Sequence, residues 1–190
     1  IYSYFMALRK ILTEPDKILR EKSLKVDQVD KNLQNLMDDM LETMYAAPGI
    51  GLAAIQVGVP KRIIVLDIGS RDKTENKSDE KQKEIKNPMY FVNPEIINKS
   101  SSNSTYEEGC LSVPGQFAEI ARPEKCHIKY LDYYGKPKEL FAEGMLATCI
   151  QHEMDHLEGI LFIDYLSKLK KSMIVKKLLK QKVQLDRIVI

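Results

Sequence analysis

Two histidines stand four residues apart in Gln151-His152-Glu153-Met154-Asp155-His156, and that spacing constrains the fold more than any other feature of the chain. Side chains at i and i+4 share one face of an α-helix, so a helix here lets both imidazoles reach one metal ion. Glu153 lies too far around such a helix to bind that ion itself, yet it can take a proton from water bound there. A pair of surface histidines on an amphipathic helix is the plain alternative. It fits poorly with a chain that holds 3 histidines, two of them at these two positions.

A catalytic metal site usually has three protein ligands and keeps one position open. Metzincin proteases place a histidine six residues after the second one, where this chain has Phe162. Proteases that use a downstream glutamate find none, because Glu158 is the last glutamate and follows too closely on the same helix. The search therefore turns to the 3 cysteines, Cys110, Cys126 and Cys149, an odd number that argues against a disulfide framework and for a reducing compartment. Cys110 stands in the polar, glycine-containing bend Glu108-Gly109-Cys110-Leu111-Ser112, at the expected end of a strand. Cys126 alternates with apolar residues, and Cys149 lies one turn before His152, where it can line a pocket wall; both read as small buried hydrophobes.

A third motif, Gly49-Ile50-Gly51-Leu52-Ala53-Ala54-Ile55-Gln56, is built of small residues that allow close approach of other backbone or of a substrate. Its G-x-G-x-x-A pattern imitates a dinucleotide fingerprint, but a helix precedes it and too few residues follow before Gly58 and Pro60. That helix starts near Asp30, with Leu33, Leu36, Met37, Met40, Leu41 and Met44 as its apolar stripe, and ends at Pro48 and Gly49. Strands are expected at Arg62–Asp67, Tyr90–Val92, Gln116–Arg122, Lys125–Leu131 and Lys138–Ala142. The metal-binding helix should run from Gly144 to Gly159, and a last helix from about Ser167 should turn Leu169, Met173, Ile174 and Leu178 inward.

Residues 70–87 are almost wholly polar and read as a disordered insertion in a single domain spanning 1–190, with 167–190 as a basic helical tail. A net charge of +2 is too small to make DNA or an anionic membrane a main partner, and no apolar run approaches the roughly 18 residues of a membrane span. The pattern as a whole implies an α+β fold: mainly antiparallel sheets around a central helix carrying the two histidines, with one helix before it and one after.

Together, GIGLAAIQ, EGCLS and QHEMDH, in this order and at these separations, resemble the peptide deformylases, the enzymes that remove the formyl group from the initiator methionine of nascent polypeptides. The resemblance runs from about Ile11 to Leu166, apart from the polar insertion. It implies Cys110, His152 and His156 as ligands of one divalent ion, natively Fe²⁺, with Zn²⁺, Co²⁺ or Ni²⁺ also accepted. Glu153 becomes the general acid/base, with water activated at the metal attacking the formyl carbon, and the Gln56 amide and Leu111 N–H become the oxyanion donors. An N-formylmethionyl peptide would lie extended along Ile50, Gly51 and Gly109, with its methionine side chain near Ile50, Met145 and Cys149. Where many bacterial members carry arginine seven residues after the metal cysteine, this chain has Phe117.

The basic residues from Lys168 to Arg187 form a solvated face, or a surface that docks on the ribosome near its exit region. The helical C-terminus and the Lys/Asn-rich insertion imply an organellar enzyme, of a plastid, apicoplast or mitochondrion, with any targeting segment absent from this sequence; a bacterial cytoplasmic enzyme is the alternative. A zincin-like endopeptidase and a fold-retaining binding module without catalysis compete with the deformylase reading. The first lacks its third ligand; the second is disfavoured because Gln56 and Glu153 are both present.

Overall fold

The computed structural model describes residues 7–69 and 86–188, with side chains described as far as residue 184. The expected polar insertion falls almost entirely outside the described residues. Helix α1, Lys31–Ala46, begins where Asp30 accepts a hydrogen bond from Leu33 N at 2.8 Å, and all six residues of its predicted stripe are buried. Strands β1 (Gly51–Ala53), β2 (Ile63–Leu66), β3 (Met89–Lys99), β6 (Lys125–Leu131) and β7 (Pro137–Glu143) form one antiparallel sheet in the order β1-β2-β3-β6-β7. Strands β4 (Asn103–Cys110) and β5 (Val113–Pro123) form a separate antiparallel ribbon.

β2 shows why its sequence is an unbroken apolar run. Ile63 and Val65 pack against α1, whereas Ile64 and Leu66 face helix α2 (Gly144–Leu157) on the opposite side of the sheet. Both faces are buried, so no polar alternation survives. The far side of α2 meets the β4–β5 ribbon, and the helix is enclosed between two sheets. Helix α3, Lys168–Ile188, closes a third core in which Ile174 and Leu178 meet Val113, Ala118, Ile120 and Phe162.

The expected α+β fold and its three helices are therefore present. Differences lie in the details. The glycine-rich segment after α1 contains the edge strand β1 and a 3₁₀ turn, Ala54–Val57. β3 continues through Pro94 to Lys99 by way of two register irregularities. On α3, Leu169 and Met173 are 73% and 63% exposed, so the inward orientation predicted for them is wrong. The helix rests on the ribbon along the narrow stripe of Ile174 and Leu178, and among the described residues no second layer covers Leu169 and Met173. Among the described residues no helix is long and apolar enough to cross a membrane.

Candidate metal centre and cleft

The two histidines of α2 and the cysteine at the end of β4 converge although 42 positions separate Cys110 from His152 in the chain. One ligand atom from each of Cys110, His152 and His156 lies within 4.8 Å of the others, and Cys110 Sγ is 3.3 Å from His156 Nε2. A thiolate and two imidazoles are a fitting donor set for a first-row divalent ion. The His152 ring is set by Glu108, whose Oε2 lies 2.8 Å from Nδ1 and leaves Nε2 for the ion. Phe162, at the position a metzincin fills with histidine, is buried in the third core.

Glu108 is held in turn. Arg122, 4% exposed, forks onto its two carboxylate oxygens at 2.6 and 3.0 Å and reaches Asp155 Oδ2 at 2.8 Å. Tyr165 donates to that same Asp155 oxygen at 2.8 Å and lays its ring against the guanidinium. Burial disfavours charge on Glu108, yet hydrogen bonds from His152 and Arg122 outweigh it and hold the carboxyl below its ordinary range. The Arg122 guanidinium, desolvated but facing Glu108 and Asp155, is pushed further up. On His152, burial opposes the charged form, and its contacts with Cys110 and Glu108 prevail to raise the imidazole well above its usual value. On His156, burial and the neighbouring positive charges act together to lower it.

Glu153 has a different environment. Burial raises its carboxyl from 4.5 to about 7, and among the described residues its Oε2 has no hydrogen-bond partner. A buried carboxyl of that kind can exchange a proton near neutral pH. Gly51 makes room for it: a Cβ there would collide with the Glu153 carboxylate. The Gln56 side chain, 1% exposed, is fixed at both ends. Its Oε1 accepts from Ala53 N at 2.8 Å, while Nε2 donates to Ser112 Oγ at 3.0 Å and points at Cys110 Sγ from 3.6 Å.

A cleft of about 560 Å³ opens over these groups between the β1 edge and the ribbon. Ile50, Gly51, Gln56, Gly109, Leu111, Met145, Cys149 and Glu153 all line it together with Cys110 and His152, while Cys126 lies in the core of the sheet. Glu108, Arg122, Asp155, Tyr165 and Ser112 were missed. Glu108 carried a signal, since a residue two before Cys110 on a strand shares its face; Arg122 and Tyr165 carried none.

A donor set divided between a strand and an inner helix, opening on a cleft beside a buried carboxyl, fits the class of α+β hydrolases. The comparisons with known proteins narrow that class. The family model for polypeptide deformylase matches residues 8–172, and the chain belongs to this family. The peptide deformylase of Pelagibacter ubique is 63% identical over 185 residues, covering 97% of this chain and 100% of that protein. The peptide deformylase of Maricaulis maris is 59% identical over 182 residues, covering 96% and 98%. Among solved structures, peptide deformylase from Ehrlichia chaffeensis superposes with a TM-score of 0.85 at 41% identity, covering 94% of this chain and 98% of that one.

These curated relatives are bacterial, which overturns the expectation of an organellar enzyme in favour of a bacterial one. A lysine- and asparagine-rich composition and a C-terminal helix reflect solubility and fold. Neither property depends on compartment.

Proposed function

We propose that this enzyme hydrolyses the formyl–nitrogen bond of N-formylmethionyl peptides, releasing formate and a free amino terminus, with Glu153 carrying the proton. The observation that supports it most is the buried Glu153 carboxyl, raised to about 7 and with its Oε2 lacking a hydrogen-bond partner among the described residues, beside the Cys110–His152–His156 donor set. A divalent ion bound by those three residues supplies Lewis acidity to water and to the formyl oxygen. Fe²⁺ is the proposed native ion, with Zn²⁺, Co²⁺ or Ni²⁺ able to replace it in a thiolate-bearing site.

The residues of the chain do the rest. Glu153 takes the proton of the attacking water and later delivers it to the departing amine nitrogen. The Gln56 amide, locked by Ala53 and Ser112, and the Leu111 N–H face the oxygen on which negative charge develops; one such donor is worth about 3 kcal/mol of barrier. The peptide lies extended along Ile50, Gly51 and Gly109, where the outer edge of β1 offers strand-like pairing, and its methionine enters the wall formed by Met145 and Cys149. Exposed Lys168, Lys170, Lys176, Lys177 and Lys180 of α3 are the proposed contact with the ribosome. Co-sedimentation with ribosomes that is lost when these lysines become glutamates would test that contact.

The test of the main reading uses freshly purified, oxygen-protected protein of measured metal content. Formate release from formyl-Met-Ala-Ser is expected from the wild type, and a loss of at least about a hundredfold from Glu153→Ala with its metal retained. No formate from the metal-loaded wild type would refute the reading.

A further inference from the structure

The 3₁₀ turn Phe162–Tyr165 bears on His152 from its two ends. Phe162 is buried and lays its ring against the imidazole, with 6.3 Å between centroids and 25° between planes. Tyr165 is 52% exposed and stands outside the cleft. Its hydroxyl donates to Asp155 Oδ2, the same oxygen that takes Arg122 Nη1, each at 2.8 Å, and its ring centroid lies 5.0 Å from Arg122 Cζ. A half-exposed phenol thus covers an ion pair whose own side chains are 4% and 19% exposed.

That pair matters because of what Arg122 holds on its other edge. Nε and Nη2 fork onto the two oxygens of Glu108, and Oε2, which takes Nη2 at 3.0 Å, also faces His152 Nδ1 at 2.8 Å. All three guanidinium nitrogens are therefore engaged, two by Glu108 and one by Asp155, and a rigid planar fork held at three points keeps one orientation. Water admitted over Asp155 raises the local dielectric and weakens the pull of its carboxylate on Nη1. The guanidinium is then free to tilt, and the oxygen that sets the imidazole moves with it. We propose that Tyr165 is a positioning residue for the candidate metal centre, holding the His152 ring in its ligand orientation through Asp155, Arg122 and Glu108. The inference rests on the metal-dependent reading given above. Two parts of the side chain contribute: the hydroxyl fixes Asp155, and the ring shields Arg122, so removing the hydroxyl alone disturbs the chain of contacts less than removing both.

The test loads the full chain with Co²⁺ and compares wild type, Tyr165→Phe, Tyr165→Ala and Leu178→Ala. Leu178 lies in the third core, away from the Asp155–Arg122–Glu108 contacts, and its variant reports general loosening. Cobalt release to a chelator should be about tenfold faster from Tyr165→Ala and about threefold faster from Tyr165→Phe, below the full range for loss of a direct partner of a metal-ligating histidine. The visible absorption bands of the bound cobalt should shift in Tyr165→Ala. With formyl-Met-Ala-Ser, kcat of that variant should fall about fivefold while KM stays at the wild-type value. Leu178→Ala should melt at a lower temperature yet release cobalt at the wild-type rate with an unchanged spectrum. Wild-type release and spectrum in Tyr165→Ala would overturn the positioning role and leave the metal reading standing. Release from Leu178→Ala as fast as from Tyr165→Ala, or a raised KM with kcat unchanged, would overturn it as well. A wild-type chain that takes up no cobalt would remove the underlying reading, and the role of Tyr165 with it.

Discussion

Helices α2 and α3 are both amphipathic segments ending in a core, yet they are held in different ways. α2 is enclosed, with Ala147, Ile150 and Leu157 packed on the five-stranded sheet and His152 and Asp155 tied to the ribbon through Glu108 and Arg122. α3 touches the molecule through Ile174 and Leu178 and through Lys171, which meets Asp164 Oδ1 at 2.5 Å. Asp164 also accepts from Leu161 N and pairs with Arg20, so one carboxylate joins the start of α3 to the N-terminal segment. The difference teaches that periodicity announces a helix and its stripe, whereas the number of partners decides how much of the stripe is covered.

The largest break in this comparison should come from Glu108→Ala. It leaves the buried Arg122 with Asp155 as its one remaining ion-pair partner and frees His152, and it should cost about 3 kcal/mol of stability by denaturant titration and lower metal affinity about tenfold to a hundredfold. Ile150→Ala, on the apolar side of α2, should cost about 2–5 kcal/mol while leaving metal stoichiometry unchanged. Retention of wild-type stability by either variant would deny that α2 is clamped from both sides.

On α3 the effects should be smaller. Burial works against charge on Asp164, but the hydrogen bonds from Lys171 and Leu161 and the charge of Arg20 prevail and lower its carboxyl below the ordinary 3.8. A lowered carboxyl contributes stability above its unfolded value and loses it as pH falls through the folded value. Asp164→Asn should therefore cost about 1 kcal/mol near neutral pH, with the gap to wild type closing as pH drops below about 3.8. Melting curves across that range are the check, and a gap independent of pH would exclude the carboxylate as its source. Leu169→Ala should change stability by no more than about 0.5 kcal/mol.

The same contrast explains what could be read from the sequence. The limits of α1 followed from Asp30 and a regular stripe, and Lys125–Leu131 was delimited by its alternation; both are local signals. The residues of the candidate metal centre stood out because they are rare residue types at fixed spacing, and the fold brings them within reach of one another. What was missed depends on partners far away in the chain. Arg122 reaches Glu108 across the ribbon and Asp155 across a helix, and nothing near position 122 reveals either partner. Leu169 and Met173 failed for the converse reason: their spacing was right, and among the described residues no surface covers them.

Gly51 and Glu153 occupy a single volume, because any Cβ at position 51 falls on the carboxylate of residue 153. The two positions consequently do not drift independently. A lineage that gains a side chain at 51 displaces the Glu153 carboxylate in the same step, and shortening residue 153 to make room moves the carboxylate away from the donor set. Each single change disturbs the other position, so the pair is held by mutual exclusion.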